Sequence, residues 1–155
     1  MASPIFRNLQ ALDLEEKILN GAAAVTLFGI FLPWISGEWM GGEVRLHTGF
    51  GFFTSFLGLA VFLLVVTILA ITLVPLAGGP VLLKKRHRDL ARLCISLQSS
   101  ILVFAILSVL TRITFEFPRL EVRFGLYVSL VGSLVTTLYA FLRKVMSPEY
   151  KIITI

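Results

Sequence analysis

The sequence predicts an all-α integral membrane protein, a four-transmembrane-helix bundle made of two parallel-repeat hairpins with both termini in the cytoplasm. Three observations predict it. Hydrophobic residues fill 57% of the 155 positions and charged residues 15%, against roughly 25% charged in soluble domains. The apolar residues gather in four runs, each near the ~20 residues that a membrane helix needs. An eleven-residue segment between the first two runs also recurs, altered, between the last two.

Residues 1–17 read as an interfacial N-terminal segment, with Ile5, Leu9 and Leu12 on one helical face. The first span is expected over 18–37, bounded by Lys17 and Glu38. Asp13, Glu15 and Glu16 precede it, and its small residues, Gly21–Ala24, open the run instead of closing it. That arrangement is wrong for a cleaved signal peptide. The second span is expected over 50–73, followed by a break at Leu76-Ala77-Gly78-Gly79-Pro80. The third covers 93–111 between Arg92 and Arg112, and the fourth 124–142 between Arg123 and Arg143. Residues 143–155 form a cytoplasmic tail whose β-favouring end, Tyr150–Ile155, suits pairing with a partner's strand.

Lysine and arginine are biased toward one side of these spans. Arg7, Lys17, Lys84, Lys85, Arg86, Arg88, Arg92, Arg143, Lys144 and Lys151 lie on one side, and Arg45, Arg112, Arg119 and Arg123 on the other. The richer side is cytoplasmic by the positive-inside rule. The net charge of +5 is thereby assigned to topology, and no basic-aromatic pattern points to nucleic acid. Lys84, Lys85, Arg86 and Arg88 form a basic loop able to meet anionic lipid headgroups or an acidic partner. Trp34 and Trp39 are placed in the aromatic belt at the outer end of the first span.

The recurring segment runs Ile35–Arg45 and Ile113–Arg123, with five of eleven positions identical, among them Glu43, Val44, Arg45 and Glu121, Val122, Arg123. Gly51, Ser55 and Gly58 recur as Gly125, Ser129 and Gly132. Small residues let membrane helices approach closely, so both triplets are expected at helix contacts, inside the bundle or between protomers. Glu43, Arg45, Glu121 and Arg123 are expected to form ion pairs closing the outer end, with Glu38 mirrored by Glu116.

No span holds an ionisable residue between its boundary charges. Such residues mark proton relays and ion pathways, so a pump or proton-coupled transporter is disfavoured. Asn20 and Gln98 are the expected polar contacts within the bundle. His47 and His87 fall on opposite sides, and Cys94 is the sole cysteine, so no metal site, cofactor or dithiol chemistry is expected.

Leu32-Pro33-Trp34, ending a first span before a short outer loop, resembles the span ends of many bacterial four-span proteins, which implies a bacterial plasma (inner) membrane. Claudin-like proteins share the four spans and an outer Trp, but their paired outer-loop cysteines have no counterpart here. The expected role is a non-enzymatic structural, accessory or assembly component, in contact with lipid and with a membrane-protein partner or a second copy. The rival is a small channel or carrier. A weaker alternative is a lipid-directed enzyme using Glu38, Glu43, Glu116 and Glu121.

Overall fold

The computed structural model describes residues 11–38 and 41–146, with the side chains of residues 85 and 86 left aside. The expected residues Ile5, Leu9, Trp39, Lys85 and Arg86, and the tail from residue 147, therefore lie wholly or in their side chains outside the described structure. The order of elements is α1 (Leu14–Phe31), β1 (Pro33–Glu38), β2 (Val44–Thr48), α2 (Ser55–Leu76), α3 (Lys85–Glu116), β3 (Leu120–Val122) and α4 (Phe124–Met146). The protein is mostly helical, and three helices are long and apolar enough to cross a membrane: Ser55–Leu76, His87–Glu116 and Phe124–Met146.

The all-α expectation is corrected by a three-stranded antiparallel sheet, in the order β2-β1-β3. Its origin is local. Pro33 disfavours helical geometry at the residue before it, and Leu32 is accordingly extended, ending α1 at Phe31. The apolar run expected as one span over 18–37 is thus helix and then strand. β1 pairs with β2 from Ile35↔His47 to Glu38↔Val44. On its other side it pairs with β3 from Ile35↔Val122 to Gly37↔Leu120. Gly37, at φ +145, takes a backbone conformation open to glycine, and a Cβ there would strike the Arg119 carbonyl.

The two recurring segments do not fold alike. Ile35–Glu38 is the central strand, whereas its counterpart Ile113–Glu116 is the last turn of α3. Only the Glu-Val-Arg portions overlap in strand structure, through Val44 and Arg45 in β2 and Glu121 and Val122 in β3, which flank β1.

α2 starts at Ser55 instead of at residue 50, because 49–54 form turns that include Phe52 at φ 63. It runs to Leu76, three residues past the expected 73, with Pro75 in the last turn and Gly79 N–H bonded to the Val74 carbonyl. α3 is 32 residues long, about 48 Å at 1.5 Å per residue. It absorbs the expected basic loop: Lys85 to Arg88 are its first turn.

A core of Leu19, Ala23, Ile30, Val61, Val65, Ile68, Val103, Ile106, Leu110 and Leu126 runs along the bundle axis, with Trp34, Ile35 and Leu120 beneath the sheet. Large apolar side chains also cover the outside of all four helices, including Phe28, Phe56, Leu63, Phe104, Val131 and Phe141. So extensive an apolar surface fits lipid contact.

The most extensive helix pair is α1 with α4. It forms along Gly125, Ser129, Gly132, Thr136 and Ala140, all buried. A Cβ on Gly132 would sit 2.5 Å from Thr26 Oγ1 and 2.8 Å from Thr26 N, and one on Gly125 would sit 2.6 Å from the Pro33 carbonyl oxygen. These glycines set the interhelical distance. The matching triplet behaves differently: Gly51 precedes α2 and lies against His47, Ser55 is half-buried, and Gly58 packs on the Gly49 carbonyl. Residues 51, 55 and 58 therefore seat a turn instead of a helix.

Gly132→Ala is expected to destabilise the protein by about 1–3 kcal/mol, as overpacking does. Gly21, with open space around it, is the control: Gly21→Ala is expected to be neutral or stabilising by under ~1 kcal/mol. Unfolding curves in mixed micelles of mild detergent and dodecyl sulfate check both.

Candidate functional site

The charges that bound the helices in the sequence converge in the fold. Glu16 follows the start of α1 and is only 5% exposed. Its Oε1 accepts a hydrogen bond from Arg92 Nη1 of α3 at 3.0 Å, and its Oε2 one from Arg143 Nη1 of α4 at 2.9 Å. Arg92 is 1% exposed and also donates through Nη2 to Thr72 Oγ1 of α2. One carboxylate and one guanidinium thus join four helices. Asp89 Oδ1 stands 3.9 Å from Arg92 Nη1, 3.8 Å from Arg143 Nε and 3.9 Å from Arg88 Nε. Three arginines surround two carboxylates in this cluster.

Helical spacing makes the cluster possible. Arg88, Asp89 and Arg92 share a face of α3 at i, i+1 and i+4, and the close α1–α4 packing brings Arg143 beside Glu16. Burial by itself raises the Glu16 carboxyl, which lies before the apolar run. The charges of Arg143, Arg92 and Arg88, with the Arg92 hydrogen bond, outweigh that and hold it below the usual carboxylate range. A cavity of about 170 Å³ adjoins, lined by Leu12, Glu16, Ile71, Thr72, Pro75, Leu76 and Arg88.

Above the cluster the interior is polar but narrow. Asn20 donates to the Glu16 carbonyl at 2.7 Å, and its Oδ1 is buried without a partner. Next come Thr26, Ser96, Ser99, Ser133 and Thr136, which with Val65 and Ile68 line a gap too tight for a water molecule. Most of these hydroxyls bond carbonyls of their own helix, as Thr26 does to Ala22 and Thr136 to Gly132. Ser100 and Thr137 bridge α3 and α4 at 2.8 Å, and Ser99 Oγ is buried unpartnered. Gln98, expected inside with Asn20, is exposed on the outer face of α3. Helical phase explains the difference: Ser96, Ser99, Ser100 and Val103 define the inward face, and Gln98 lies off it.

At the opposite end, Glu121 and Arg123 pair with each other, and other pairs involve residues outside the expected four. Arg119 Nη1 meets Glu38 Oε2 at 2.6 Å, an ion pair between the two recurring segments beside their β1–β3 pairing. Arg123 donates to Ser36 Oγ at 2.5 Å and stands 3.4 Å from its neighbour Glu121. Arg112 pairs with Glu116 one turn away at 3.3 Å. Glu43 and Arg45 enter no ion pair among the described residues. Of the four glutamates considered for catalysis, Glu38, Glu116 and Glu121 have separate arginine partners and Glu43 enters no ion pair among the described residues.

Trp34, expected in an aromatic belt, is instead 1% exposed. Pro33 turns it inward, and its indole N–H donates to the Gly29 carbonyl at 2.8 Å, an acceptor near the end of α1. His47 stacks obliquely on Phe52 at 5.4 Å, His87 is exposed, and Cys94 faces outward. Among the described residues no three His, Cys, Asp or Glu side chains converge as a metal site. Of the basic residues at the start of α3, Lys84 is exposed, whereas Arg88 is half-buried beside Asp89.

The convergence of Glu16, Arg92 and Arg143 is not visible in the sequence, where Arg92 and Arg143 stand as boundary charges and Glu16 as one of three acidic residues before the first apolar run. The available signal was the register of Arg88, Asp89 and Arg92, which no solvated loop requires.

Glu16→Gln leaves Arg92 and Arg143 buried with only Asp89, at 3.9 and 3.8 Å, as counter-charge and is expected to cost about 3 kcal/mol. Because the folded Glu16 pKa is depressed, its contribution is complete above the ordinary carboxylate value of about 4.3. It is lost as pH falls through the lower folded value. Thermal unfolding from pH 7 to pH 3 should show this acid-side loss in the native chain and a smaller one in Glu16→Gln. No protein-family model matches the chain, and neither the curated proteins nor the solved structures contain a significant match.

Proposed function

We infer that the chain is a four-span, N-in/C-in protein of a bacterial plasma membrane, acting as a non-enzymatic structural or accessory component. The observation that carries this reading is the internal use of its polar groups: Glu16 is consumed by Arg92 and Arg143, and the hydroxyl-lined interior above it admits no water. A transport path needs polar groups that face a passage. Here they face one another, while the exterior is apolar.

The height of α1 supports a fourth crossing. Glu16 is level with Arg143, and Leu32 lies against Gly125. α1 therefore runs alongside α4 for about 25 Å of rise. Ile18 to Phe31 is a short apolar stretch, and the buried Trp34 and Ile35 of β1 continue it.

A second reading, a small channel or carrier, is favoured by one observation: Asn20 Oδ1 and Ser99 Oγ are buried without hydrogen-bond partners along the same polar column. Under that reading the column widens to take up water or a small polar solute.

Two measurements separate these readings and test the topology. Purified protein in liposomes is expected to give no selective conductance or solute flux above empty vesicles, and a selective flux overturns the structural role. In a Cys94→Ser background, Asp13→Cys and His87→Cys are expected to resist a membrane-impermeant thiol reagent in intact cells, while Glu43→Cys and Glu121→Cys react. Labelling of positions 13 and 43 from the same side removes the first crossing.

A further inference from the structure

The cluster that joins the four helices is not electrically balanced. Glu16 uses both of its oxygens on Arg92 and Arg143. Asp89 Oδ1 stands 3.8 Å from Arg143 and 3.9 Å from Arg88 and Arg92, and forms a hydrogen bond to none of them. Three guanidinium groups against two carboxylates leave one positive charge over, and Arg88 carries it. Its Nε is buried without a hydrogen-bond partner among the described residues. Buried donors in folded proteins are almost always paired, and an orphan is a recurrent sign of a bound ion or water.

Arg88 also lines the cavity of about 170 Å³ between the start of α1, the end of α2 and the first turn of α3. A space of that size holds several water molecules. Thr72 lines it too. Its Oγ1 accepts from Arg92 Nη2, and its hydroxyl hydrogen goes to no described group. Thr67 on the same helix instead returns its hydroxyl hydrogen to the Leu63 carbonyl. One cavity is therefore lined by two side chains with hydrogens still to donate. Glu16 lines it as well, but both of its oxygens already accept from guanidinium groups, so it neither holds a cation nor presents a free negative charge. The remaining walls, Leu12, Ile71, Pro75 and Leu76, are apolar.

Donors and surplus positive charge select an anion, and apolar walls select one attached to an apolar stem. The cavity lies beside Arg92 and Arg143, the charges at which two of the apolar runs end. Lipid headgroups occupy that level of a bilayer, and basic pockets between membrane helices receive them. A planar guanidinium suits a phosphate because it offers parallel donors to two of its oxygens.

We propose that this cavity binds a phosphate group through Arg88 and Thr72, and that the phosphate belongs to an anionic lipid whose glycerol end lies against Leu12, Ile71, Pro75 and Leu76. The site adds a ligand to the structural role, and it rests on the membrane reading only for the source of the phosphate. Bound there, the lipid pairs the one cluster arginine that the protein leaves over and fills the gap among three helix ends.

The test uses the full chain in mild nonionic detergent, titrated with phosphatidylglycerol or with diacylglycerol of the same chains and read by native mass spectrometry. Inorganic phosphate is added in a parallel series read by thermal unfolding. One phosphatidylglycerol per chain is expected to be retained at concentrations where diacylglycerol is not. Arg88→Gln should weaken retention about tenfold or more, as loss of a charge-assisted hydrogen bond does. Thr72→Val should weaken it several-fold and Thr72→Ser should not. Leu12→Phe narrows the cavity while every charge stays in place, and it should also lower retention. Lys84→Gln removes an exposed charge of the same sign and should leave retention nearly unchanged. Leu12→Phe and Thr72→Ser keep the test decisive should Arg88→Gln fail to fold.

Retention of phosphatidylglycerol no better than that of diacylglycerol overturns the proposal. Equal losses in Arg88→Gln and Lys84→Gln mean diffuse surface attraction and overturn it as well, as does full retention in Leu12→Phe. Stabilisation by inorganic phosphate that depends on Arg88, without selective lipid retention, keeps the phosphate site and overturns the lipid as its source. The membrane reading is decided separately, by the thiol labelling.

Discussion

The bundle depends on the requirement that a buried carboxylate be neutralised by charges drawn from other helices. Glu16 uses both of its oxygens, one for α3 through Arg92 and one for α4 through Arg143, and Arg92 extends the connection to α2 at Thr72. Apolar packing between membrane helices is only weakly selective, because lipid tails satisfy leucine as well as a neighbouring helix does. A desolvated charge is far more demanding, since removing its partner leaves an ion with no solvent. The cluster therefore fixes which helix faces which at its end of the bundle, and the small residues of α4 determine how closely α1 can approach along the rest of its length.

The opposite end is organised by backbone instead of charge. Pro33 ends α1 and starts the central strand, so a single covalent turn connects the first helix to the middle of the sheet. Trp34 fills the corner and occupies the Gly29 carbonyl with its indole N–H. Arg123 N–H bonds the Trp34 carbonyl at 2.8 Å, which fastens the start of α4 to the end of α1. The surface ion pairs there, such as Arg112 with Glu116, are well hydrated and contribute about 0–1 kcal/mol each. Burial of Trp34, Ile35 and Leu120 supplies most of the cohesion.

Helix content was legible because long uncharged runs have few alternatives in a chain of this hydropathy, and the stop after Leu76 was legible from Ala77-Gly78-Gly79-Pro80. The sheet was not. Its strands are short, and Ile35-Ser36-Gly37 continues an apolar run that length alone assigns to a helix. The signal in plain view was Pro33 followed by Trp34 and Ile35, a restricted residue and then two strand formers. The recurring Glu-Val-Arg identified two strands that flank a common partner, although it suggested two equivalent hairpins. For the site, composition located each charge at a helix end but could not show that Glu16, Arg92 and Arg143 meet, since their proximity arises from tertiary packing across 76 and 127 positions of sequence.

The central place of β1 in the sheet bears on how the chain is made. Its partner β2 emerges within a few residues, but β3 lies near Arg123, which reaches back 87 positions to Ser36. Glu16 likewise waits for Arg143, 127 positions later. The first helix and the central strand are thus completed by contacts from β3 and α4, far along the chain. Until β3 and α4 have been made, Glu16 lacks the second of its two arginine partners and β1 is open along one side. Both are features by which a membrane insertion or degradation machinery can distinguish an interrupted chain from a finished one.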